Sequence, residues 1–186
     1  MNGLINVADF LIHIAFTLYI YLIIIRLLLG LTRADFYNPF SQFVLNLTSP
    51  VLTPLRKIIP SIGRFDTAGI ALIVFLKFAE LFIRGLLVGN QASVSALILP
   101  TVFGVIDLTL NLFIFAIIIL IIISWIAPQM HAQSNPMASV LRSITEPLIR
   151  PARKLIPPIG IFDLSTFVVL IALYSIKIFL HSYTII

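Results

Sequence analysis

The chain contains no cysteine. That excludes a disulfide scaffold, a zinc–thiolate site, an iron–sulfur cluster and thiol catalysis. Charge is also scarce: Asp, Glu, Lys and Arg make up 10% of the 186 residues, against about a quarter in ordinary soluble domains. With 60% of residues hydrophobic, a soluble globule and a disordered or fibrous chain are excluded as well. Signatures of soluble chemistry are absent: no glycine-rich phosphate loop, no His-Glu-x-x-His, no nucleophile elbow and no acidic metal cluster. The sequence therefore offers no catalytic residue, metal site or cofactor, and is not read as an enzyme. Acidic residues are the rarer sign, 7 against 12 basic, for a net charge of +5. In a membrane protein that excess means basic cytoplasmic loops meeting anionic lipid headgroups, not a nucleic-acid surface.

What is abundant is apolar sequence. Four segments are long enough to cross a bilayer, which needs ~20 residues at ~1.5 Å rise: Phe10–Leu31, Thr67–Gly89, Phe103–Ala127 and Leu164–Tyr183. The third contains Phe113–Ile123 without one polar side chain. The first is not a signal peptide, because no Lys or Arg precedes it and Arg26 interrupts its far end.

An internal repeat organises the rest. Asn38–Asp66 and Asn135–Asp163 align without a gap, 97 residues apart, with 13 identities in 29 positions. The shared frame is Asn38-Pro39, Pro50, Pro54, Arg56-Lys57, Pro60, Gly63 and Asp66 against Asn135-Pro136, Pro147, Pro151, Arg153-Lys154, Pro157, Gly160 and Asp163. The expected architecture is an all-α membrane protein with four transmembrane helices as two tandem parallel repeats, residues 1–94 and 95–186. Each repeat is a span, an amphipathic cytoplasmic helical hairpin and a second span. Orientation follows from the cations. Arg33, Arg56, Lys57, Arg64, Arg142, Arg150, Arg153 and Lys154 lie in the hairpins, and the other four (Arg26, Lys77, Arg84, Lys177) lie within spans. The positive-inside rule puts both hairpins in the cytoplasm and both termini outside.

Within a hairpin, Asn38 is expected to cap a helix that starts at Pro39. Phe40, Phe43, Val44 and Leu47 then share a face, as do Met137, Val140, Leu141 and Ile144 in the second copy. Pro50 and Pro54 are expected to break the chain into a second short piece ending at Arg56-Lys57. Gly63 and Gly160 permit tight turns, and Asp66 and Asp163 cap the following spans. Apolar residues beside cations suit the membrane interface. Two readings remain open: re-entrant connections whose cations only set topology, or a paired platform. In the second, Arg56, Lys57, Arg150, Arg153 and Lys154 grip anionic lipid or a membrane or cytoplasmic protein partner.

The stretch Arg33-Ala34-Asp35-Phe36-Tyr37-Asn38-Pro39-Phe40, the Pro50–Asp66 frame and its repeat resemble the YggT (YlmG) family of bacterial inner-membrane proteins, over essentially the full chain. The resemblance implies a multi-pass inner-membrane protein linked to osmotic or ion-stress tolerance and cell division. It implies no catalytic residues. Asp35-Phe36-Tyr37 has no counterpart before Asn135, where Gln133-Ser134 stand.

Ionisable residues inside spans are costly and count as functional candidates. Asp9, His13, Lys77, Glu80, Arg84, Asp107, Lys177 and His181 form an expected intramembrane polar network, mostly in the outer half. Lys77, Glu80 and Arg84 share one helix face by their i, i+3, i+7 spacing, and the repeat sets Glu80 opposite Lys177 as an ion pair. Arg26 is expected to snorkel to the cytoplasmic headgroups. The network is read as a brace between helices, with an ion or proton path as the rival. His13 and His181 at similar depth do not amount to a haem site. The leading function is a non-enzymatic scaffold or assembly factor for envelope, osmotic-stress or division homeostasis. The alternative is a small channel or transporter component using the outer-half charges.

Overall fold

The structure is a computed structural model that describes residues 3–63, 65–89, 93–126, 135–156 and 163–184. Among these residues it is all-helical, with no strand. The helices run in the order α1 (Gly3–Thr32), α2 (Pro39–Ile58), α3 (Thr67–Val88), α4 (Ile98–Ile126), α5 (Pro136–Leu155) and α6 (Leu164–Thr184), with a 3-10 turn over Val94–Leu97 before α4. Three helical stretches are long and apolar enough to cross a membrane: Gly3–Thr32, Val94–Ser124 and Leu164–Ser182. The remaining expected span, α3, has the length at 22 residues but carries Lys77, Glu80 and Arg84. α4 begins earlier than the apolar run predicts, because Pro100 falls in its first turn, where a missing N–H costs nothing.

By contact the chain divides into two compact units, residues 1–27 with 46–109, and residues 28–45 with 110–186. In the first, Ile20, Ile23 and Ile24 of α1, Leu52 of α2 and Ala68, Leu72 and Ile73 of α3 are buried. In the second, Ile114 and Ile117 of α4, Ile149 of α5 and Val169 and Leu173 of α6 form one core cluster. A Cβ on Gly69 would lie 2.7 Å from Leu27 Cδ2, so glycine is what lets α1 and α3 approach there.

The caps lie where the repeat places them. Asn38 Oδ1 accepts the Phe40 N–H at 2.9 Å, and Asn135 Oδ1 accepts those of Met137 and Ala138. Gly63 turns with φ 61° between Ile62 and Phe65, whose backbones pair. Gly160 and Arg64 lie outside the described residues.

One expectation for the hairpins needs correction. Pro50 and Pro54 do not break α2, nor Pro147 and Pro151 α5; each helix runs 20 residues through both prolines. The physical reason is their four-residue spacing on the exposed side: the missing donors and the freed carbonyls fall on one outward face, away from the core. The shared apolar face of α2 is only partly buried. Of Phe40, Phe43, Val44 and Leu47 only Val44 is buried, alongside Ser41, Thr48 and Leu52. Phe43, Leu47 and Val51 are exposed, so α2 turns small polar residues inward and apolar ones outward. In α5 Val140, Leu141 and Ile144 of the corresponding face are buried, and Met137 is exposed.

Asn38, itself buried, also donates from Nδ2 to the Pro136 carbonyl at 2.8 Å, joining the starts of α2 and α5 within the second unit. Asn38→Ala is therefore expected to remove both a cap and a buried hydrogen bond, costing about 2 kcal/mol. Asn135→Ala loses only a cap, about 1 kcal/mol. Thermal unfolding of the two variants in detergent checks the order.

Candidate functional site

Two kinds of charged cluster stand out. The first is the polar network of the first unit, built from α1 and α3. Glu80 is fully buried on α3. Its Oε2 accepts Lys77 Nζ at 2.9 Å, and its Oε1 accepts His13 Nδ1 at 2.7 Å and Arg84 Nη1 at 3.4 Å. A carboxylate can only accept, so this contact sets the histidine as the Nδ1–H tautomer. Arg84 in turn forks onto Asp9: Nε to Oδ1 at 2.7 Å and Nη2 to Oδ2 at 2.9 Å. Such bidentate pairs are the strong ones. Two acids and two bases on two helices thus close into a formally neutral cluster. Gly104 borders it from α4: a Cβ there would sit 2.5 Å from Lys77 Cε, so a larger residue would require the lysine stem to shift.

The corresponding place in the second unit has the polarity reversed. Lys177 of α6, 97 residues after Glu80, donates to Asn111 Oδ1 of α4, 98 residues after His13. Glu80 and Lys177 each find partners inside their own unit. Asn111 adds an uncharged acceptor beside the ionisable candidates. The signal for it was the same one-residue shift that relates Asp9 to Asp107. Asp107 lies half-buried on α4 and His181 is exposed on α6.

The second kind of cluster sits at the base of each hairpin. Arg56 Nε donates to Asp66 Oδ1 at 3.3 Å and its Nη2 to Oδ2, while Asp66 Oδ1 also accepts the Gly69 N–H at 3.2 Å. Arg153 Nε donates to Asp163 Oδ2 at 2.8 Å, and Asp163 accepts the Ser165 N–H and hydroxyl. One aspartate therefore both caps a span helix and holds the end of the preceding hairpin helix. This divides the five candidate contact cations: Arg56 and Arg153 are braces, whereas Lys57, Arg150 and Lys154 are exposed. Arg26 departs from expectation too. It is buried and donates to Thr48 Oγ1 at 2.7 Å and Ser49 Oγ at 3.0 Å, both on α2. It turns inward because two hydroxyls on the inner face of α2 offer acceptors before the headgroups are reached.

An all-helical chain with three helices long and apolar enough to cross a membrane is consistent with a membrane protein. The chain belongs to the CCB3/YggT family, whose model matches residues 5–87 and 99–184. It is 37% identical to an uncharacterized protein of Pseudomonas aeruginosa over 93% of this chain and 87% of that one. It is 38% identical to a protein encoded in the proC 3′ region of Vibrio alginolyticus, over 90% of each chain. With the YggT protein of Escherichia coli K12 the identity is 31%, over 92% of this chain and 88% of that one. None of these names is enzymatic. No solved structure matches.

Glu80→Gln removes the negative charge of a buried cluster and leaves Lys77 uncompensated, an expected loss of about 3–5 kcal/mol. The double change Lys77→Met with Glu80→Gln is expected to recover part of it, measured by unfolding in detergent. The braces carry a pH prediction. Burial raises the Asp66 carboxyl, but the Arg56 guanidinium and the Gly69 N–H outweigh it and hold the group below its ordinary value. At Asp163 burial is likewise outweighed, by Ser165 and Arg153. A depressed folded pKa contributes stability above the unfolded value of ~3.9, lost as pH falls through the folded one. Protection of the Ile59 and Ile156 amides, which donate to the Leu55 and Ala152 carbonyls, is expected to hold between about pH 7 and 5 and to fall only below about 4. Asp66→Asn is expected to lower protection of Ile59 throughout.

Proposed function

We propose that the chain is a four-span, non-enzymatic scaffold or assembly factor of the bacterial inner membrane. It is built from two tandem repeats, with both termini outside and both hairpins in the cytoplasm. The hairpin helices α2 and α5 form a cationic, partly apolar ledge in the headgroup region that holds anionic lipid and a protein partner, contributing to envelope, osmotic-stress or division homeostasis. The observation that carries this reading is the brace at the end of each hairpin helix. Arg56 and Arg153 are tied to the capping aspartates, while the next positions, Lys57 with Ile58 and Lys154 with Leu155, stay exposed. A loop whose cations served only topology has no need of a fixed shape at that point. Cations adjoining exposed aliphatic residues fit the bilayer interface, where each Lys or Arg contributes about 1 kcal/mol against an anionic leaflet.

The fourth span is α3. Its ~33 Å length matches a hydrocarbon core, and Ile70, Val74, Phe75, Phe82, Ile83 and Leu86 make its exposed surface apolar. Its three charges bond to α1 or to one another, which removes the ~3 kcal/mol or more that a lone charge facing lipid costs. The two stretches matched by the family model support the tandem repeat. So do the paired braces and the His13–Glu80 and Asn111–Lys177 contacts at corresponding positions. The self-contained pairing of the network favours a structural brace over an ion path.

Lys57→Glu, Arg150→Glu and Lys154→Glu together are expected to leave abundance and unfolding nearly unchanged, within about 0.5 kcal/mol per exposed site. They are also expected to abolish crosslinking from α2 and α5 to the captured partner and the osmotic tolerance that the intact chain restores to a deletion strain. Full restoration at normal abundance would overturn the scaffold reading, and accessibility labelling that puts α2 and α5 in opposite compartments would overturn the topology.

A further inference from the structure

The second unit holds a cavity of about 210 Å³ among α4, α5 and α6, with Ser124, Arg142, Thr145, Glu146, Arg153 and Asp163 on its polar side. Ile149 and Phe167 contribute to an apolar wall. At the corresponding positions of the first unit, Arg26 engages the hydroxyls. Thr48 and Ser49, which accept the Arg26 guanidinium, are the residues 97 positions before Thr145 and Glu146. With the one-residue shift that relates Asp9 to Asp107, Arg26 corresponds to Ser124. So where the first unit supplies its own cation, the second has a short hydroxyl, and where the first has Ser49, the second has a carboxylate.

We propose that this cavity binds an ammonium-plus-phosphate headgroup of the ethanolamine type, the ammonium on Glu146 and Thr145 and the phosphate on Arg142. The ammonium takes the place that Arg26 fills in the first unit. Among the described residues Glu146 receives long bonds from Arg153 Nη1, at 3.3 and 3.4 Å, which leave most of its acceptor capacity open. Thr145 spends its proton on the Leu141 carbonyl at 2.9 Å, so its oxygen is left to accept. A primary ammonium brings three donors to these oxygens; a trimethylammonium brings none. Arg142, standing 97 residues after Leu45, is exposed and has the donor fork that suits a phosphate. Two acids and two arginines make the lining formally neutral. A ligand with one charge of each sign matches that lining better than a lone cation or a lone anion.

The assignment rests on the bilayer setting proposed above but not on the exposed cations, since the triple Lys57, Arg150 and Lys154 reversal leaves the lining intact. The test is thermal unfolding of the purified chain in detergent, titrated with short-chain phosphatidylethanolamine, phosphatidylcholine and phosphatidylglycerol of equal chain length, and with free phosphoethanolamine. Phosphatidylethanolamine is expected to raise the melting temperature and to bind at least about ten-fold more tightly than the other two lipids. Glu146→Gln and Ser124→Arg are each expected to weaken it by about ten-fold or more. Ser124→Arg is expected to melt no lower than the parent without lipid, since its guanidinium occupies the vacant place; if that variant does not fold, Glu146→Gln carries the comparison. The triple reversal is expected to bind as the parent does, which separates failure of the scaffold reading from failure of this one. Free phosphoethanolamine matching the lipid would support the headgroup chemistry with a soluble source, and its inertness would support the lipid. Equal binding of phosphatidylcholine, unchanged binding in Glu146→Gln, or no shift with any ligand would overturn the proposal.

Discussion

A charge in an apolar surrounding must find its counterpart within the chain, and the described helices are arranged around that constraint. Glu80 could not be buried alone on α3; it is tolerated because three donors reach it and because Asp9 balances Arg84. The close approach of Lys77 to Gly104 follows from the same demand, since the lysine must stay inside to meet the carboxylate. Buried ion pairs of this kind contribute little net stability over a well-packed apolar core, but breaking one is costly. Their effect is to specify which helices meet and in what register.

The hairpins show the same economy of partners. An aspartate that satisfies the start of a span helix also holds the arginine that ends the helix before it. The turn between them is short, so one carboxylate fixes two helix ends against each other. Because the arginine is engaged, the neighbouring lysine is held outward beside an aliphatic residue. Prolines that would interrupt a solitary helix are accommodated by lying on the exposed face, where the freed carbonyls do not meet the core. α2 then presents Phe43, Leu47 and Val51 outward, which is costly in water and favourable against acyl chains.

The two units solve similar problems with exchanged chemistry. A histidine donating to a glutamate in one corresponds to a lysine donating to an asparagine in the other. An arginine bonded to two hydroxyls of α2 corresponds to a serine that lines a cavity.

Read alone, the amino-acid order determined the helical class, the caps at Asn38, Asn135, Asp66 and Asp163 and the grouping of Lys77, Glu80 and Arg84 on one face. These depend on local spacing and on the shortage of charge, which a single chain displays directly. It did not determine which face of α2 is buried, because an apolar stripe points inward in water and outward in lipid, and the pattern is the same in both. Nor did it determine that Arg26 turns to Thr48 and Ser49, that Arg56 and Arg153 are braces, or that Glu80 and Lys177 each bond inside their own unit. Those choices rest on distances between side chains of different helices. Only the packed tertiary structure decides which of several available partners a long charged side chain reaches first.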